Sequence, residues 1–324
     1  MDTVYVLRGT EIRRSDDTIR VTLDNGRKVR LPAETVKHLV VPVACRMNTE
    51  VLNFMGRAHI RVSFLDYHGN FSASLEPAEP YASGTVHLAQ AKHILDLVKR
   101  MYMARTIMDA AAHNIIQNVK YYSYRGHPLA ESVGIMQSHR ERLRKATTIE
   151  QLMGSEGLLR QTYYATWKAI NPDLAITRRS RRPPADRVNA LISFGNGLMY
   201  SACRQALSQT HLDHTLSFIH APSQARSSLS LDLAELFKPV VVDRLIFRMA
   251  NRGELDAGKF EEQDGICLLS DSGRESVVEH FRNDMDSAEV DGVIGYRNVI
   301  LREAYRIEAH LLELEEYHPF MRRA

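Results

Sequence analysis

The stretch His220-Ala-Pro-Ser-Gln-Ala-Arg-Ser-Ser-Leu-Ser-Leu-Asp232-Leu-Ala-Glu235-Leu-Phe-Lys-Pro239 decides how the chain is to be understood. It brings a histidine to a polar turn and then enters a helix, for which Ser227 or Ser228 is the expected N-cap. Asp232 and Glu235 are three residues apart, so they share one face of that helix, which its leucines otherwise make apolar. Two carboxylates on a packed face repel each other unless a cation lies between them.

The stretch itself leaves three explanations for this acidic pair open. The cation can be a metal ion, or it can be an arginine such as Arg226 or Arg244. Alternatively, the helix lies on the surface of the protein, where water solvates both carboxylates. Evidence from a second part of the chain is needed to decide between them.

Bulk composition indicates a soluble globular protein. The chain has 324 residues, enough for two domains, with 44% hydrophobic and 25% charged residues. No apolar run approaches the ~20 residues of a membrane span, and the N-terminus has no signal-peptide pattern. The three isolated cysteines (Cys45, Cys203 and Cys267) argue against a disulfide framework and fit a reducing cytosol. We therefore expect a cytoplasmic protein.

Charge is distributed unevenly along the chain. Residues 81–190 contain 17 basic and 8 acidic side chains, whereas residues 191–324 contain 14 basic and 21 acidic ones. This asymmetry predicts that the middle of the chain faces a polyanion. The candidate phosphate contacts are four arginines in one extended segment, Arg178, Arg179, Arg181 and Arg182. The alternative is that this segment is a solvated loop.

The period of the hydrophobic pattern changes near residue 80. Before it, alternating runs flank the turn residues Asn25-Gly26 and Gly69-Asn70, which predicts two hairpins. After it, helical patterns cover 86–119, 128–145, 186–207, 240–251, 274–285 and 296–316, with a loop over 253–273. The sequence thus predicts an α+β fold with two domains: a small β-rich N-terminal domain (1–76), a linker (77–86) and a larger, all-helical catalytic domain (87–324).

A second carboxylate, Glu156, lies where an apolar residue is expected. The run Thr147-Thr-Ile-Glu150 predicts a capping box, and the helix after it carries an apolar stripe that contains Glu156. A carboxylate on a buried face costs several kcal/mol unless it is paired, hydrogen-bonded or bound to metal. Gly154 and Gly157 leave room beside it for a backbone or a ligand. A buried salt bridge to an arginine is the alternative to a metal site.

Four segments form an ordered set that resembles the CRISPR-associated Cas-one family, the endonuclease/integrase that inserts new spacers into CRISPR arrays. They are Gly154-Ser-Glu156-Gly157, Arg181-Arg-Pro-Pro-Ala-Asp-Arg-Val-Asn189-Ala-Leu191, His220, and Asp232-Leu-Ala-Glu235-Leu-Phe-Lys-Pro239-Val-Val-Val-Asp243. The β-rich start, Leu268-Leu-Ser-Asp-Ser-Gly-Arg274 and Glu316-Tyr-His-Pro-Phe320 resemble the same family. The resemblance covers nearly the whole chain.

The resemblance implies specific roles for the residues in these segments. Glu156, His220 and Glu235 correspond to the family's metal ligands, and Asp232 is an adjacent acidic partner, so these four are the candidate catalytic residues. Two carboxylates and one imidazole suit Mg²⁺ or Mn²⁺ rather than structural zinc. The implied partners are protospacer DNA, the CRISPR array, a second copy of the chain and the small Cas-two protein. No membrane partner is expected.

Three functions remain open. The first is an integrase, in which a DNA 3′-hydroxyl attacks a phosphodiester of the array. The second is a general metal-dependent nuclease that acts on branched or single-stranded DNA, with water as the nucleophile at the same site. The third is a nucleic-acid-binding module without catalysis, in which Glu156 is only salt-bridged.

Overall fold

The predicted turn at Asn25 and Gly26 is present in the computed structural model, where Gly26 has a backbone φ of 78°. The strands on either side pair antiparallel, with Val21 opposite Val29. The second predicted hairpin is also present, with Phe64 opposite Ala73. Both hairpins form because glycine tolerates the positive φ that a tight turn requires.

The structure describes residues 3–66, 69–77, 83–180, 183–220, 227–287, 289–290 and 293–323. The N-terminal strands are β1 (Thr3–Tyr5), β2 (Gly9–Ser15), β3 (Thr18–Leu23), β4 (Lys28–Pro32), β5 (His38–Val41), β6 (Arg46–Met47), β7 (Arg61–Leu65) and β8 (Phe71–Leu75), with helix α1 (Thr49–Arg57) before β7. They form two four-stranded sheets, in the orders β1-β5-β7-β8 and β4-β3-β2-β6. One apolar core contains Ile12, Leu39 and Met55, so both sheets and α1 contribute to it.

The remaining elements are mostly helices: α2 (Gly84–Leu95), α3 (Leu97–Tyr124), α4 (Ala130–Arg144), α5 (Ile149–Ile170), α6 (Arg187–Leu207), α7 (Ser228–Phe237), α8 (Arg244–Asn251), α9 (Asp271–Ser287) and α10 (Tyr296–Leu311). A π-helical segment, Lys238–Asp243, joins α7 to α8. Short strands form two hairpins, β9 (Phe260–Gln263) with β10 (Ile266–Leu269), and β11 (Glu289–Val290) with β12 (Val293–Ile294). The fold is therefore α+β, as predicted.

Two details of the predicted helical part are wrong. The helix predicted over 86–119 is two helices, because Asp96 ends α2 and its side chain caps the N–H groups of Val98 and Lys99 at the start of α3. The part is also not all-helical. The predicted loop over 253–273 contains the β9–β10 hairpin, whose turn residues Asp264 and Gly265 have φ values of 52° and 75°.

By compactness, the chain forms two units. One contains Met1–Pro80, Ser180–Ser201 and Ala257–Glu279, and the other contains Tyr81–Arg179, Ala202–Asp256 and His280–Ala324. Two segments from the predicted helical domain thus belong to the first unit, where Gly197 of α6 packs directly on the carbonyl oxygen of Gly69. The domain boundaries at 76 and 87 stay a prediction. Of the helices described, none has the length and apolar character to span a membrane.

Candidate functional site

Asp232 on α7 is completely buried and holds His220 in place. Its Oδ2 accepts hydrogen bonds from the backbone N–H groups of Phe218 and Ile219, at 2.7 and 3.0 Å. Its Oδ1 lies 2.6 Å from Nδ1 of His220. With the Nδ1 proton donated to Asp232, the Nε2 atom of His220 keeps its lone pair and can bind a metal. Asp232 is therefore suited to orient the imidazole.

The protonation of His220 reflects the same neighbours. Burial lowers the pKa of its imidazole, but the hydrogen bond and charge of Asp232, together with the charge of Glu235, outweigh burial and raise the pKa. The charge of Glu235 acts on the same ring, so this carboxylate lies within electrostatic range of His220. The alternative of a surface helix with solvated acids is wrong, because α7 buries Asp232 and leaves the Glu235 side chain only 9% exposed.

Arg160 lies between the carboxylates of Glu156 and Glu235. Its Nε donates to Glu156 Oε1, and its Nη2 donates to Glu235 Oε2. Lys238 donates to the other oxygen of Glu235. Burial raises the pKa of Glu235, but the charges of Lys238 and Arg160 outweigh burial and hold the pKa below its ordinary value. Two helices, α5 and α7, thus bring two carboxylates to one guanidinium.

The identity of the compensating cation corrects the sequence prediction. Arg244 makes no ion pair with either carboxylate in the described residues, and Arg226 lies outside them. Arg160 and Lys238 take that role. Sequence reasoning considered a salt bridge from Glu156 to an arginine but named neither Arg160 nor Lys238. Each leaves a signal: Arg160 follows Glu156 by four residues and Lys238 follows Glu235 by three, which are the spacings of helical ion pairs.

The N-terminal caps of α5 and α7, the helices that carry these side chains, differ from the predicted ones. The N-cap of α5 is Thr148, whose hydroxyl accepts from the N–H of Gln151, so the cap lies one residue later than predicted. For α7, the N-cap Ser227 makes no side-chain capping bond, and the hydroxyl of Ser228 donates to the carbonyl of Thr215 instead. Ser227 is therefore at the predicted N-cap position, but the predicted capping hydrogen bond is wrong.

The surface beside Glu156 is open. A Cβ built on Gly154 or Gly157 meets no heavy atom within 4 Å. No backbone in the described part of the chain approaches these glycines, so the space that they leave is available to a ligand. The Glu156 side chain itself is 16% exposed.

The arginines predicted to contact phosphate are only partly described. Arg178 is exposed and Arg179 is half-buried, whereas Arg181 and Arg182 lie outside the described residues. Arg179 is close enough to Asp243 for its charge to act on that carboxyl group. The first two arginines of the segment are therefore on the same compact unit as the carboxylates.

The donor set fits a hard divalent cation in its chemistry. Glu156 and Glu235 offer carboxylate oxygens that already converge on one positive group, and His220 offers Nε2. Across residues 3–323, as far as these are described, no three His, Cys, Asp or Glu side chains are already arranged around a common metal position. A cation bound by both glutamates would compete with Arg160.

Solved structures of a Cas1 protein and of a casposase have this architecture. A Cas1 protein from Thermotoga maritima superposes with a TM-score of 0.86 at 28% sequence identity, covering 99% of both chains. A casposase bound to its integration product superposes with a TM-score of 0.85, covering 98% of this chain and 93% of that one. At 17% identity, the second comparison establishes a shared fold.

Sequence comparison identifies the family to which the chain belongs. The family model described as CRISPR associated protein Cas1 matches residues 4–283. The CRISPR-associated endonuclease Cas1 2 of Moorella thermoacetica is 35% identical over 323 residues, which are 98% of each chain. This chain belongs to the CRISPR-associated Cas1 family. The family predicted from the motifs is confirmed, and with it the expected class of enzyme, a CRISPR-associated nuclease.

Proposed function

We propose that this chain is a metal-dependent DNA integrase of CRISPR adaptation, in which a protospacer 3′-hydroxyl attacks a phosphodiester of the CRISPR array. The observation that carries the proposal is the convergence of Glu156 and Glu235 on one guanidinium, beside an imidazole held by Asp232. Membership of the Cas1 family supports the CRISPR substrate.

Glu156, His220 and Glu235 would hold a Mg²⁺ or Mn²⁺ ion. Such an ion polarises a phosphodiester and lowers the pKa of an attacking hydroxyl group. The carboxylate oxygens suit a hard cation, and one imidazole nitrogen is compatible with Mn²⁺. The hydrogen bond from Nδ1 to Asp232 fixes the tautomer that leaves Nε2 available for this role.

Arg160 and Lys238 prepare the carboxylates. Their two positive charges balance the two negative charges of Glu156 and Glu235, so the cluster is close to neutral. They also keep Glu235 ionised despite its burial. Because the cluster is already balanced, an added divalent cation is best accommodated together with a phosphate, or with displacement of Arg160 from between the carboxylates.

The basic segment Arg178–Arg182 would hold DNA through its phosphates. Replacing Arg178 and Arg179 by alanine should weaken duplex binding for all sequences and lower the salt slope of log K by about 0.9 for each lost phosphate contact. Arg252→Ala, at an arginine whose side chain is 61% exposed, is the matched control and should leave the slope unchanged. An unaltered affinity and slope in the double variant would assign the segment to a solvated loop.

We further propose that the protein acts in the cytoplasm as a homodimer, together with the small Cas-two protein. Family resemblance is the basis for both partners. The N-terminal sheets support a role in dimerisation, because β4 and β6 end one sheet and β1 and β8 end the other. Edge strands need a covering or pairing element. A monomer at micromolar concentration in light scattering would contradict the dimer.

The function is tested by strand transfer. The purified chain and its Cas-two partner are incubated with a labelled protospacer, a supercoiled plasmid carrying the array, and Mg²⁺ or Mn²⁺. We expect labelled protospacer to join the plasmid in the wild type and not in Glu235→Gln, with duplex affinity unchanged within about twofold, because the metal serves the transition state. Glu308→Gln removes another buried, paired glutamate and is the matched control, which should remain active.

The outcome separates the three functions. Cleaved plasmid without joined protospacer in the wild type indicates a general nuclease. Wild-type joining by Glu235→Gln contradicts the metal assignment, and Asp232→Asn is then the variant that identifies the carboxylate in use. DNA binding without any metal-dependent cleavage or joining in the wild type indicates a binding module.

A further inference from the structure

The C-terminal end of α3 presents aromatic and cationic side chains that the candidate site does not use. Tyr121, Tyr124 and Arg125 are spaced three and four residues apart, so they share one face of the helix. Tyr121 is 40% exposed and Tyr124 is 84% exposed. The guanidinium carbon of Arg125 lies 4.5 Å from the centroid of the Tyr121 ring, which is a cation–π contact.

An inward-facing tyrosine anchors this end of the helix. The ring of Tyr122 packs edge-on against His127 and Phe247, with centroid distances of 5.5 and 5.6 Å. Its hydroxyl accepts a hydrogen bond of 3.0 Å from Asn251 Nδ2. Because Tyr122 is held by packing, the neighbouring positions 121 and 124 are presented on a rigid support.

Two more arginines lie near this end of α3: Arg322 is within electrostatic range of both Tyr121 and Arg244. The backbone of Arg322 is fixed, since its N–H donates to Asn114 Oδ1 at 2.8 Å and its carbonyl lies 3.0 Å from His113 Nε2. Burial lowers the pKa of the Arg322 guanidinium, and the charge of Arg244 lowers it further. In the part of the chain that the structure describes, neither guanidinium pairs with a carboxylate. Two half-buried like charges within electrostatic range of each other favour an anion.

We propose that the Tyr–Arg surface, defined as Tyr121, Tyr124, Arg125, Arg244 and Arg322, binds single-stranded DNA. Bases stack on the two exposed tyrosines, and phosphates pair with the arginines. Exposed aromatic rings beside cations are the combination that single strands require, because every unpaired base offers a π face. A duplex buries those faces between its base pairs and can use only the cations of this surface.

The inference goes beyond strand transfer at Glu235, because it assigns a surface for unpaired DNA that the chemistry of the carboxylates does not itself require. It rests on the proposed function only in taking DNA as the ligand. Its test needs no metal, no Cas-two protein and no catalysis, so the two proposals can fail separately.

The test compares one labelled 15-nucleotide single strand with its duplex by fluorescence anisotropy, using the full chain in EDTA. Tyr124→Ala should weaken single-strand binding about 5- to 20-fold, within the range for loss of one base–aromatic stack, and should change duplex binding less than twofold. Tyr124→Phe should restore single-strand binding. Tyr305→Ala, at a tyrosine of α10 that is 46% exposed, is the control and should alter neither affinity.

The arginines are tested through salt. Arg322→Gln should lower the single-strand salt slope by about 0.7 per lost contact. Equal losses for both DNAs in Tyr124→Ala would reduce the surface to a nonspecific basic patch and overturn the inference. Unchanged single-strand binding in both Tyr121→Ala and Tyr124→Ala would overturn it as well. If strand transfer fails in the wild type while single-strand binding still depends on Tyr124, the proposed function is refuted and the single-strand-binding surface is supported.

Discussion

Replacing Arg160 by glutamine separates the structural role of the carboxylate pair from its proposed metal-binding role. The substitution removes the positive charge between Glu156 and Glu235, whose side chains are 16% and 9% exposed. Loss of one partner from a buried ion pair costs about 3–5 kcal/mol, and we expect about 2–3 kcal/mol here because Lys238 still pairs with Glu235. The variant should therefore be less stable than the wild type in metal-free buffer.

The same substitution should make the protein responsive to metal. Without Arg160, two carboxylates remain close together and a divalent cation can compensate them. A ligand at one hundred times its dissociation constant stabilises the native state by about 2.7 kcal/mol. Titration with Mn²⁺ should thus raise the free energy of unfolding of Arg160→Gln by more than that of the wild type, in which Arg160 competes with the ion. Urea denaturation at neutral pH, with EDTA or with Mn²⁺, measures both effects.

A control variant distinguishes this from general destabilisation. Arg248→Gln breaks the pair with Asp284, whose side chains are 33% and 17% exposed, in the same compact unit. It should lower stability without gaining a response to Mn²⁺. The reasoning is refuted if Arg160→Gln is as stable as the wild type in EDTA. It is equally refuted if Mn²⁺ stabilises Arg160→Gln no more than Arg248→Gln.

Two further predictions concern packing and pH. A Cβ at position 197 would lie 1.9 Å from the carbonyl oxygen of Gly69, so Gly197→Ala should lower the free energy of unfolding by about 1–3 kcal/mol or more. A Cβ at position 154 meets no heavy atom, so Gly154→Ala should raise the free energy of unfolding by about 1 kcal/mol. Thermal unfolding that ranks the two variants in the opposite order would contradict this. Burial raises the pKa of Asp243 from 3.8 to about 6, so the folded chain keeps a proton that the unfolded chain releases, and stability falls as pH rises between these values by up to roughly 3 kcal/mol. Relative to the wild type, Asp243→Asn should therefore gain stability between pH 4.5 and 7.5 in urea denaturation, and a difference independent of pH would show that Asp243 is ionised throughout.

The parts of the fold that the sequence predicts are those with local causes. The Asn25-Gly26 hairpin and helix α5 follow from turn chemistry and from an apolar stripe, and both are present. Strand β5 pairs parallel with β1 and β7, which are distant in sequence, so no local pattern indicates the pairing. The hairpin at Asp264-Gly265 was not predicted although it has a local cause, because its two turn residues are a recognisable turn signal in the sequence.

The candidate site likewise combines features with local causes and features that depend on residues distant in sequence. The position of Glu156 on an apolar stripe predicts that it needs a partner, and Arg160 one helical turn later provides it. What the sequence does not reveal is that this arginine also reaches Glu235 on another helix. Likewise, the spacing of Asp232 and Glu235 predicts a shared face, yet the fold gives them different partners, because the backbone before His220 surrounds only Asp232.

The π-helical segment after α7 explains how the carboxylates are held. It begins at Lys238 and includes Pro239, which has no N–H to donate into a regular helix. Two asparagines of α3 donate to carbonyl groups at this junction: Asn114 Nδ2 bonds the carbonyl of Leu236 at 3.0 Å, and Asn118 Nδ2 bonds that of Pro239 at 2.8 Å. Buried amides thus stabilise a wide turn that an α-helical ladder would not satisfy.

The π-helical segment connects the helices that carry the two carboxylates, Glu156 on α5 and Glu235 on α7. Asn118 also donates to the hydroxyl of Tyr163 on α5 at 3.1 Å, and that hydroxyl donates to Asp243 at the end of the π-helical segment at 3.0 Å. The helix that carries Glu156 is therefore tied, through Tyr163, to the segment that follows Glu235. Because each of these hydrogen bonds is buried, removal of one partner leaves the other unpaired at a cost of about 1–3 kcal/mol. The arrangement of the carboxylates accordingly depends on three helices at once, which is why the spacing of acids along any one of them could not specify it.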